Sequence, residues 1–313
     1  HNGEHHCLQQ VEGQGGGIKC TKGGVISNNV ICYNTAEMTP SSQYGIGGGV
    51  LVENGDAVRI INSLIYKNSA ARYGGGLYIY GGADLYFSHL TMVGNSATEG
   101  SGIYASGQAQ MSITNSIIRN EGANEIYSES TSPAVANSNV KGGWPGVSII
   151  DADPLFVDES ENDFHLLYDS PCLNTGSNGH TAGDTDFEGD PRIAYDMADM
   201  GADEFHPHLY YKGTSAPCSR VDIRVVGLPD TASVGIFVGS GVLDPPLPTA
   251  WGLFYLQSPY FLYKLPAIPS NGVLSFNVMI PVSIPAPSTL PLQAIIGEGE
   301  DALSNLCIME IKE

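Results

Sequence analysis

The densest group of potential metal ligands in the chain is the stretch DTDFEGD. It places Asp184, Asp186, Glu188 and Asp190 at every second position, with Gly189 between the last two. Alternate carboxylates around a glycine turn can surround one hard cation, so these four residues are a candidate Ca²⁺ site. The alternative is an acidic turn in which the Asp side chains accept hydrogen bonds from nearby backbone amides.

Tyrosines form a second group with binding potential. Tyr78, Tyr80 and Tyr104 lie in neighbouring repeats of similar sequence. Tyrosine rings on a flat sheet can stack against sugar rings, so these residues are candidates for binding a polysaccharide. The alternative is that the rings cover a sheet face or an interface.

Four glycine clusters divide the first 120 residues into the repeats that must position these groups. The first apolar residues after the clusters are Ile18, Val50, Leu77 and Ile103, at spacings of 32, 27 and 26 residues, and Ile126 follows after 23. Periods of this length are typical of solenoids. The segments between turns are short and rich in Val, Ile, Tyr and Thr, which favours strands over helices. The sequence therefore predicts a parallel β-helix in which each repeat forms one coil.

Each of the four repeats closes with an asparagine, at Asn34, Asn68, Asn95 and Asn120. Neighbouring coils of such a stack lie about 4.8 Å apart. Asparagines at equivalent corners can therefore form a hydrogen-bonded column, as in amide ladders. We expect the glycines to occupy corners where a Cβ atom would clash. Both sets of residues are predicted to be architectural.

Residues 151–204 contain DADPLFVDESENDFHLLYDSPCLNTGSNG, followed by TDFEGDPRIAYDMADMGADEF. This segment resembles the closing segment of secreted bacterial right-handed β-helix repeat proteins of the choice-of-anchor Q type. The resemblance extends over residues 11–206. It implies a right-handed parallel β-helix domain at 1–206, closed by residues 151–206 and exposed on or outside the cell. It implies no enzymatic activity.

The composition changes after residue 206, because the glycine corners stop and prolines become frequent. Seven short apolar segments follow: RVDIRVV, SVGIFVG, AWGLFYL, YFLYKL, GVLSFNVMI, LPLQAII and CIMEIK. Seven alternating strands in about a hundred residues are typical of a β-sandwich. The sequence therefore predicts an all-β chain, with a small antiparallel β-sandwich at 207–313 after the β-helix.

The six cysteines include no CxxC pair, which excludes zinc ribbons and thioredoxin chemistry. Gln9 precedes Gly15 by six residues, as Asn68 precedes Gly74, so Gln9 takes the asparagine corner of the first coil; Cys7 and Cys32, each two residues before such a corner, then occupy equivalent positions in adjacent coils. Stacked residues lie about 5 Å apart, within the range of a disulfide, so we predict a Cys7–Cys32 bond. The rival pairing is Cys7 with Cys20.

A second disulfide is predicted in the C-terminal domain. Cys218 precedes the first predicted strand of the sandwich and Cys307 lies in the last one, and terminal strands are often neighbours. We expect these two residues to pair and to close a long loop. Cys20 and Cys172 would then remain buried thiols.

We predict no catalytic activity. A glycoside hydrolase needs carboxylates that face each other across a groove, and a lyase needs a basic residue beside a bound uronate. The acidic residues within 47–120 are Glu53, Asp56, Asp84 and Glu99, and they do not recur at one repeat position. Lys and Arg together number 13 and form no repeated column. A lyase or hydrolase is the second alternative for the function.

The net charge of −20 disfavours nucleic acid as a partner, because the surface repels phosphates. The sequence contains no run of about twenty apolar residues, so it predicts no transmembrane segment. The coils begin near residue 7 without a predicted cap, so we expect the open N-terminal coil to contact the C-terminal sandwich of another copy. The sequence thus predicts an extracellular or cell-surface structural protein that associates head-to-tail into a filament. A glycan-binding adhesin module is the alternative.

Overall fold

A computed structural model of the chain describes residues 5–7, 10–12, 16–38, 40, 44–54, 57–82, 84–122, 124–181, 183–194, 196–212, 219–227, 234–249, 252–258, 260–270, 272–279, 288–296, 302–303 and 307–311. The chain forms two compact units. The N-terminal unit comprises His1–Leu166 and Ser170–Glu204, and the C-terminal unit comprises Leu167–Asp169 and Phe205–Glu313. The division after Glu204 lies close to the predicted domain boundary. Within the described residues, no helix is long and apolar enough to cross a membrane.

Strands are the main secondary-structure elements of the N-terminal unit. The first strands are β1 (His5–Cys7), β2 (Gln10–Glu12), β3 (Ile18–Cys20), β4 (Gly24–Ser27), β5 (Val30–Cys32) and β6 (Thr35–Glu37). The middle strands are β7 (Val50–Glu53), β8 (Val58–Tyr66), β9 (Ser69–Ala70), β10 (Leu77–Tyr80), β11 (Leu85–Ser96), β12 (Ile103–Ser106) and β13 (Met111–Thr114). The last are β14 (Ile117–Glu121), β15 (Ile126–Ser128), β16 (Ala134–Val140), β17 (Gly146–Ile150), β18 (Phe156–Asp158) and β19 (Asp163–Leu166). Short 3-10 helices occur at Glu159–Glu161 and Asn178–His180.

The strands of successive repeats pair in parallel, as a stack of coils requires. One five-stranded sheet has the order β15-β12-β10-β7-β3. Its register aligns the predicted apolar positions in one row: Ile18, Val50, Leu77, Ile103 and Ile126. A larger, 12-stranded sheet contains β1, β5, β8, β11, β13 and β16 among its members. The predicted all-β, parallel, β-helix-like arrangement is therefore confirmed.

The interior of the stack is filled by the alternate side chains of each strand. In β10, Leu77 and Ile79 are fully buried, whereas Tyr80 is 48% exposed. The residues paired with Ile79 in the two neighbouring coils, Val52 and Ala105, are also apolar and buried. Stacking a repeat on its neighbours removes these inward apolar side chains from water. A single repeat has no neighbour to cover them and could not be stable alone.

The predicted asparagine column is present and continuous. Asn34 Nδ2 donates to Asn68 Oδ1 at 2.9 Å, Asn68 Nδ2 to Asn95 Oδ1 at 2.9 Å, and Asn95 Nδ2 to Asn120 Oδ1 at 2.6 Å. The column ends at Glu125, whose two carboxylate oxygens accept from Asn120 N at 2.7 Å and from Asn120 Nδ2 at 2.8 Å. A carboxylate suits this end because it only accepts hydrogen bonds.

The glycine before each first strand makes room for the asparagine of the same coil. A Cβ atom at Gly17, Gly49 or Gly102 would lie 2.9, 3.2 or 2.8 Å from the Nδ2 atom of that asparagine. The register places Glu125 at the equivalent position of the next coil, after Gly102. There the Glu125 side chain fills the space and replaces the missing asparagine. The glycine cluster and the closing asparagine are therefore one packing unit.

A second polar column, which was not predicted from the sequence, lies at another corner of the coils. Its members share a left-handed backbone with φ between 47° and 56°: Asn28, Asn62, His89, Asn115 and Asn137. Asparagine tolerates this conformation better than most residues do. Asn62 Nδ2 donates to Thr185 O at 2.9 Å, and Asn115 Nδ2 donates to Ser177 O at 3.0 Å. The column thereby attaches the closing segment to the side of the coils.

The C-terminal unit contains antiparallel strands. They are β20 (His208–Lys212), β21 (Arg220–Val226), β22 (Val234–Gly239), β23 (Val242–Thr249), β24 (Gly252–Leu256), β25 (Tyr260–Leu265), β26 (Val273–Met279), β27 (Ser288–Ile296), β28 (Ala302–Leu303) and β29 (Cys307–Ile311). One sheet has the order β20-β21-β26, and another has the order β25-β22-β27-β28 with β29 also paired to β27. Residues of both sheets, such as Ile223 and Leu292, share one apolar cluster. All seven predicted strands are present, and β20, β23 and β28 are additional.

The strand register near the N-terminus aligns the two cysteines as predicted. Cys7 and Cys32 are partner residues in the parallel pair β1–β5. Cys32 is fully buried and disulfide-bonded, whereas Cys20 is a free thiol, which excludes the rival pairing of Cys7 with Cys20. The side chain of Cys7 lies outside the described residues, so the Cys7–Cys32 bond stays a prediction that the register supports.

The predicted Cys218–Cys307 disulfide is wrong, because Cys307 is a free, buried thiol. Its strand, β29, pairs with β27, whereas Cys218 precedes β21, which belongs to the other sheet. Cys218 itself lies outside the described residues. Cys307 instead packs with apolar side chains such as Met309 and Leu292, as a small hydrophobic residue does.

Candidate functional site: a histidine–carboxylate cleft

The most chemically distinctive group in the N-terminal unit is centred on His165. Asp163 and His165 lie two residues apart in β19, so both side chains point to the same face of the β18–β19 hairpin. Glu188 belongs to the acidic turn at 184–190, and Asp203 lies near the end of the closing segment. The closing segment folds back along the coils, and this brings residues from three parts of the sequence together.

The ring of His165 has a carboxylate at each nitrogen. Nδ1 donates to Asp163 Oδ1 at 2.6 Å. Nε2 lies 3.2 Å from Glu188 Oε2 and 4.0 Å from Asp203 Oδ1. These atoms border a cleft of about 290 Å³ whose other walls include Tyr66 and apolar side chains such as Phe187.

The carboxylates of the cleft and the His165 ring act on each other's pKa values. Burial lowers the pKa of His165, but the charges of Asp203, Asp163 and Glu188 outweigh burial and hold that pKa well above its usual range. Burial, with repulsion from Asp186 and Glu188, raises the pKa of Asp203 well above its usual range, although His165 acts in the opposite direction. Burial therefore acts in opposite directions on the two pKa values, whereas the neighbouring carboxylates raise both of them, and this negative charge favours a bound cation or proton.

The structure does not bring the four predicted Ca²⁺ ligands together. Asp186 Oδ1 accepts hydrogen bonds at 2.9 Å from the backbone amides of Glu188, Gly189 and Asp190, and its Oδ2 accepts from the amide of Glu204 at 3.0 Å. The stretch is therefore an acidic turn with Asp186 bonded to backbone amides, which was the predicted alternative to a Ca²⁺ site. Among the described residues, the groups that could hold a metal ion include Glu188 but not Asp184, Asp186 or Asp190.

Arg192 lies beneath this turn and is 2% exposed. Its Nη2 donates to Asn62 Oδ1 at 3.0 Å and to Ala202 O at 2.6 Å. The nearby Glu204 accepts from the amides of Ala194 and Asp199, and burial, with repulsion from Asp199, raises its pKa to about 8. These contacts join the acidic turn and the end of the closing segment to the second polar column. They support the cleft rather than line it.

The predicted sugar-binding tyrosines have two different environments. The Tyr104 ring stacks on Tyr78 with centroids 5.4 Å apart and on Tyr127 with centroids 5.0 Å apart, and Tyr104 is only 3% exposed. Its hydroxyl donates to Glu129 at 2.6 Å. Tyr104 is therefore not available to a sugar, because neighbouring coils cover both faces of the ring. Tyr80, in contrast, is 48% exposed, and Tyr78 is half-buried.

Sequence reasoning missed Asp163, His165 and Asp203 as a site. A usable signal was the D-x-H spacing in a predicted strand, since it places a carboxylate and an imidazole on one face. The position of Asp203 gives no such signal.

Comparisons with protein-family models, with curated proteins and with solved structures find no match to this chain.

Proposed function

We propose that the chain is a non-catalytic structural protein that acts outside the cell, with a right-handed parallel β-helix at 1–206 and a β-sandwich at 207–313. The parallel register of the coils supports the first domain. Two antiparallel sheets that share one apolar cluster support the second. The resemblance of residues 151–204 to choice-of-anchor Q proteins supports the right-handed direction and the extracellular location.

The observation that supports a structural role is that polar side chains of the N-terminal unit are hydrogen-bonded to one another and to the backbone. Asn68, for example, is 1% exposed and accepts from Asn34 Nδ2 while its own Nδ2 donates to Asn95 Oδ1 and Ile31 O. Asp186 uses both carboxylate oxygens on backbone amides. Side chains engaged in this way hold the fold, and they are not free to transfer protons to a substrate.

We further propose that copies associate head-to-tail through strand edges. Among the described strands, β4 pairs with β8 alone, and its Val25 is 61% exposed. Asn28 N donates to Ile61 O, and amides of a parallel strand alternate in direction, so the Val25 amide points away from β8. An edge of this kind can accept a strand from another molecule.

The C-terminal unit has an edge with matching properties. Strand β25 is the first of its sheet and pairs with β22, and it exposes Leu262 and Tyr263 by 48% and 57%. Among the strands that the structure describes, β4 and β25 each pair on one side only and expose apolar side chains, which favours contact between the N-terminal unit of one copy and the C-terminal unit of another. Such heterologous contact does not close on itself and extends into a filament.

Light scattering after size-exclusion chromatography, with negative-stain microscopy, tests this proposal on the full chain. We expect oligomers that grow with protein concentration and appear as linear particles. The variant Val25→Pro removes an outward amide and should reduce the association, whereas Val25→Ala keeps that amide and should associate normally. A chain that remains monomeric at every concentration overturns the proposed association.

Glycan binding is the second candidate function, and the exposure of Tyr80 beside half-buried Tyr78 favours it. Co-sedimentation with insoluble polysaccharides tests it directly. We expect Tyr80→Ala to reduce binding several-fold, while Tyr168→Ala, which removes an exposed tyrosine from the C-terminal unit, should bind as the parent does. Equal binding by both variants would exclude the Tyr80 face.

A further inference from the structure

We propose that His165, Glu188 and Asp203 bind one divalent transition-metal cation, with Zn²⁺ the best fit, and that Asp163 positions the histidine. The site lies within the N-terminal unit. Of the four predicted Ca²⁺ ligands it includes only Glu188. It would hold together three parts of the closing segment: the β18–β19 hairpin, the acidic turn at 184–190 and the end of the segment near Asp203.

The first argument is the spacing of the three ligand atoms. His165 Nε2, Glu188 Oε2 and Asp203 Oδ1 all lie within 4.8 Å of one another. Tetrahedral Zn²⁺ with bonds of about 2.0–2.1 Å holds its ligand atoms about 3.3 Å apart. The 3.2 Å separation of Nε2 from Glu188 meets this value, and the 4.0 Å separation from Asp203 needs a shift of well under 1 Å.

The second argument is the state of Asp203. This residue is 8% exposed, and among the described residues its carboxylate accepts no hydrogen bond and has His165 Nε2 as its ion-pair partner. A buried carboxylate is normally paired and hydrogen-bonded, or it coordinates a metal. The side chain faces the cleft that His165 and Glu188 also line, so a cation there would complete its environment.

The third argument is the orientation of the imidazole. The Nδ1–H group of His165 donates to Asp163 Oδ1 at 2.6 Å, which leaves Nε2 as the atom that faces Glu188 and Asp203. A carboxylate bonded to the remote nitrogen is the usual outer partner of a metal-binding histidine. The nitrogen ligand also distinguishes the site from a Ca²⁺ site, because Ca²⁺ takes oxygen ligands, whereas imidazole suits zinc.

Isothermal titration of the full chain with ZnCl₂, after removal of metals by chelation, tests the proposal. The measurement uses a parent in which His5→Ala and His6→Ala remove the N-terminal histidine pair as a competing ligand. We expect one Zn²⁺ per chain, and at least a tenfold loss of affinity in His165→Ala and in Asp203→Asn. Asp163→Asn should keep the stoichiometry and weaken binding 10- to 100-fold, as expected for a positioning residue.

His180→Ala is the matched control, because His180 is exposed and lies outside the cleft. It should bind Zn²⁺ as the parent does, and circular dichroism should show the fold retained in every variant. The absorption spectrum of the Co²⁺-loaded parent should have the intensity of four-coordinate cobalt, and His165→Ala should lose it. Absence of Zn²⁺ binding by the parent, or equal binding by His165→Ala and the parent, overturns the proposal.

Discussion

The asparagine column allows a quantitative test at its centre, Asn95, which is fully buried. Its Oδ1 accepts from Asn68 N at 3.0 Å and from Asn68 Nδ2 at 2.9 Å. Its Nδ2 donates to Asn120 Oδ1 at 2.6 Å and to Ile65 O at 2.7 Å. Replacing Asn95 with Ala removes all four hydrogen bonds without inserting a larger side chain.

The expected loss of stability follows from the groups left behind. Two donors of Asn68 and the carbonyl of Ile65 lose a partner, whereas Asn120 Oδ1 still accepts from the backbone amide of Asn95. Each buried polar group left unsatisfied costs about 1–3 kcal/mol, and neighbouring costs are not fully additive. We therefore expect Asn95→Ala to lower the free energy of unfolding of the N-terminal unit by about 3–5 kcal/mol.

A matched control is Asn29→Ala. Asn29 is half-buried, and its Nδ2 donates locally to Ser27 O, so its loss should cost less than about 1 kcal/mol. Hydrogen exchange measured by mass spectrometry suits a chain of two units, because peptides from the coils report the N-terminal unit separately. Equal protection of the coil peptides in the two variants would refute the view that the column contributes to stability.

Three further predictions concern the coils and their cysteines. Cys32→Ser should lower the free energy of unfolding of the N-terminal unit by about 3.5 kcal/mol in the chain-entropy model, since a bond to Cys7 closes a loop of about 25 residues. Peptide mapping under non-reducing conditions should recover the Cys7–Cys32 pair, and a free Cys7 would contradict the prediction. Gly102→Ala should lower the free energy of unfolding by about 1–3 kcal/mol, because the new Cβ atom would lie 2.8 Å from Asn120 Nδ2. Gly24→Ala should cost less, because no atom lies within 4 Å of its Cβ position. Equal denaturation midpoints of the two variants would count against this packing. Burial raises the pKa of Cys172 from 9.0 to about 11, so the neutral thiol contributes stability that is fully present below pH 9.0 and is lost as pH rises from there to about 11. Iodoacetamide at pH 8 should label Cys172 only after unfolding, and rapid labelling of the native chain would be inconsistent with its burial.

The coil register could be derived from the sequence because repetition makes it visible. Each coil needs a glycine such as Gly49 beside the asparagine of the same coil, so the two residue types recur together along the chain. The register that aligns Ile18, Val50 and Leu77 follows from this recurrence. The strands of the C-terminal unit were also predictable, since short apolar segments between proline-rich turns have few alternatives.

The tertiary structure alone decided which polar residues meet. The alternating carboxylates at 184–190 suggest a shared ligand set, but the chain turns so that Asp186 binds backbone amides while Glu188 faces His165. His165 and Asp203 are far apart in the sequence and have no repeat to relate them. They come together because the closing segment folds back along the second polar column. Local spacing thus determined the coils, whereas the cleft depends on a long-range contact that no local pattern encodes.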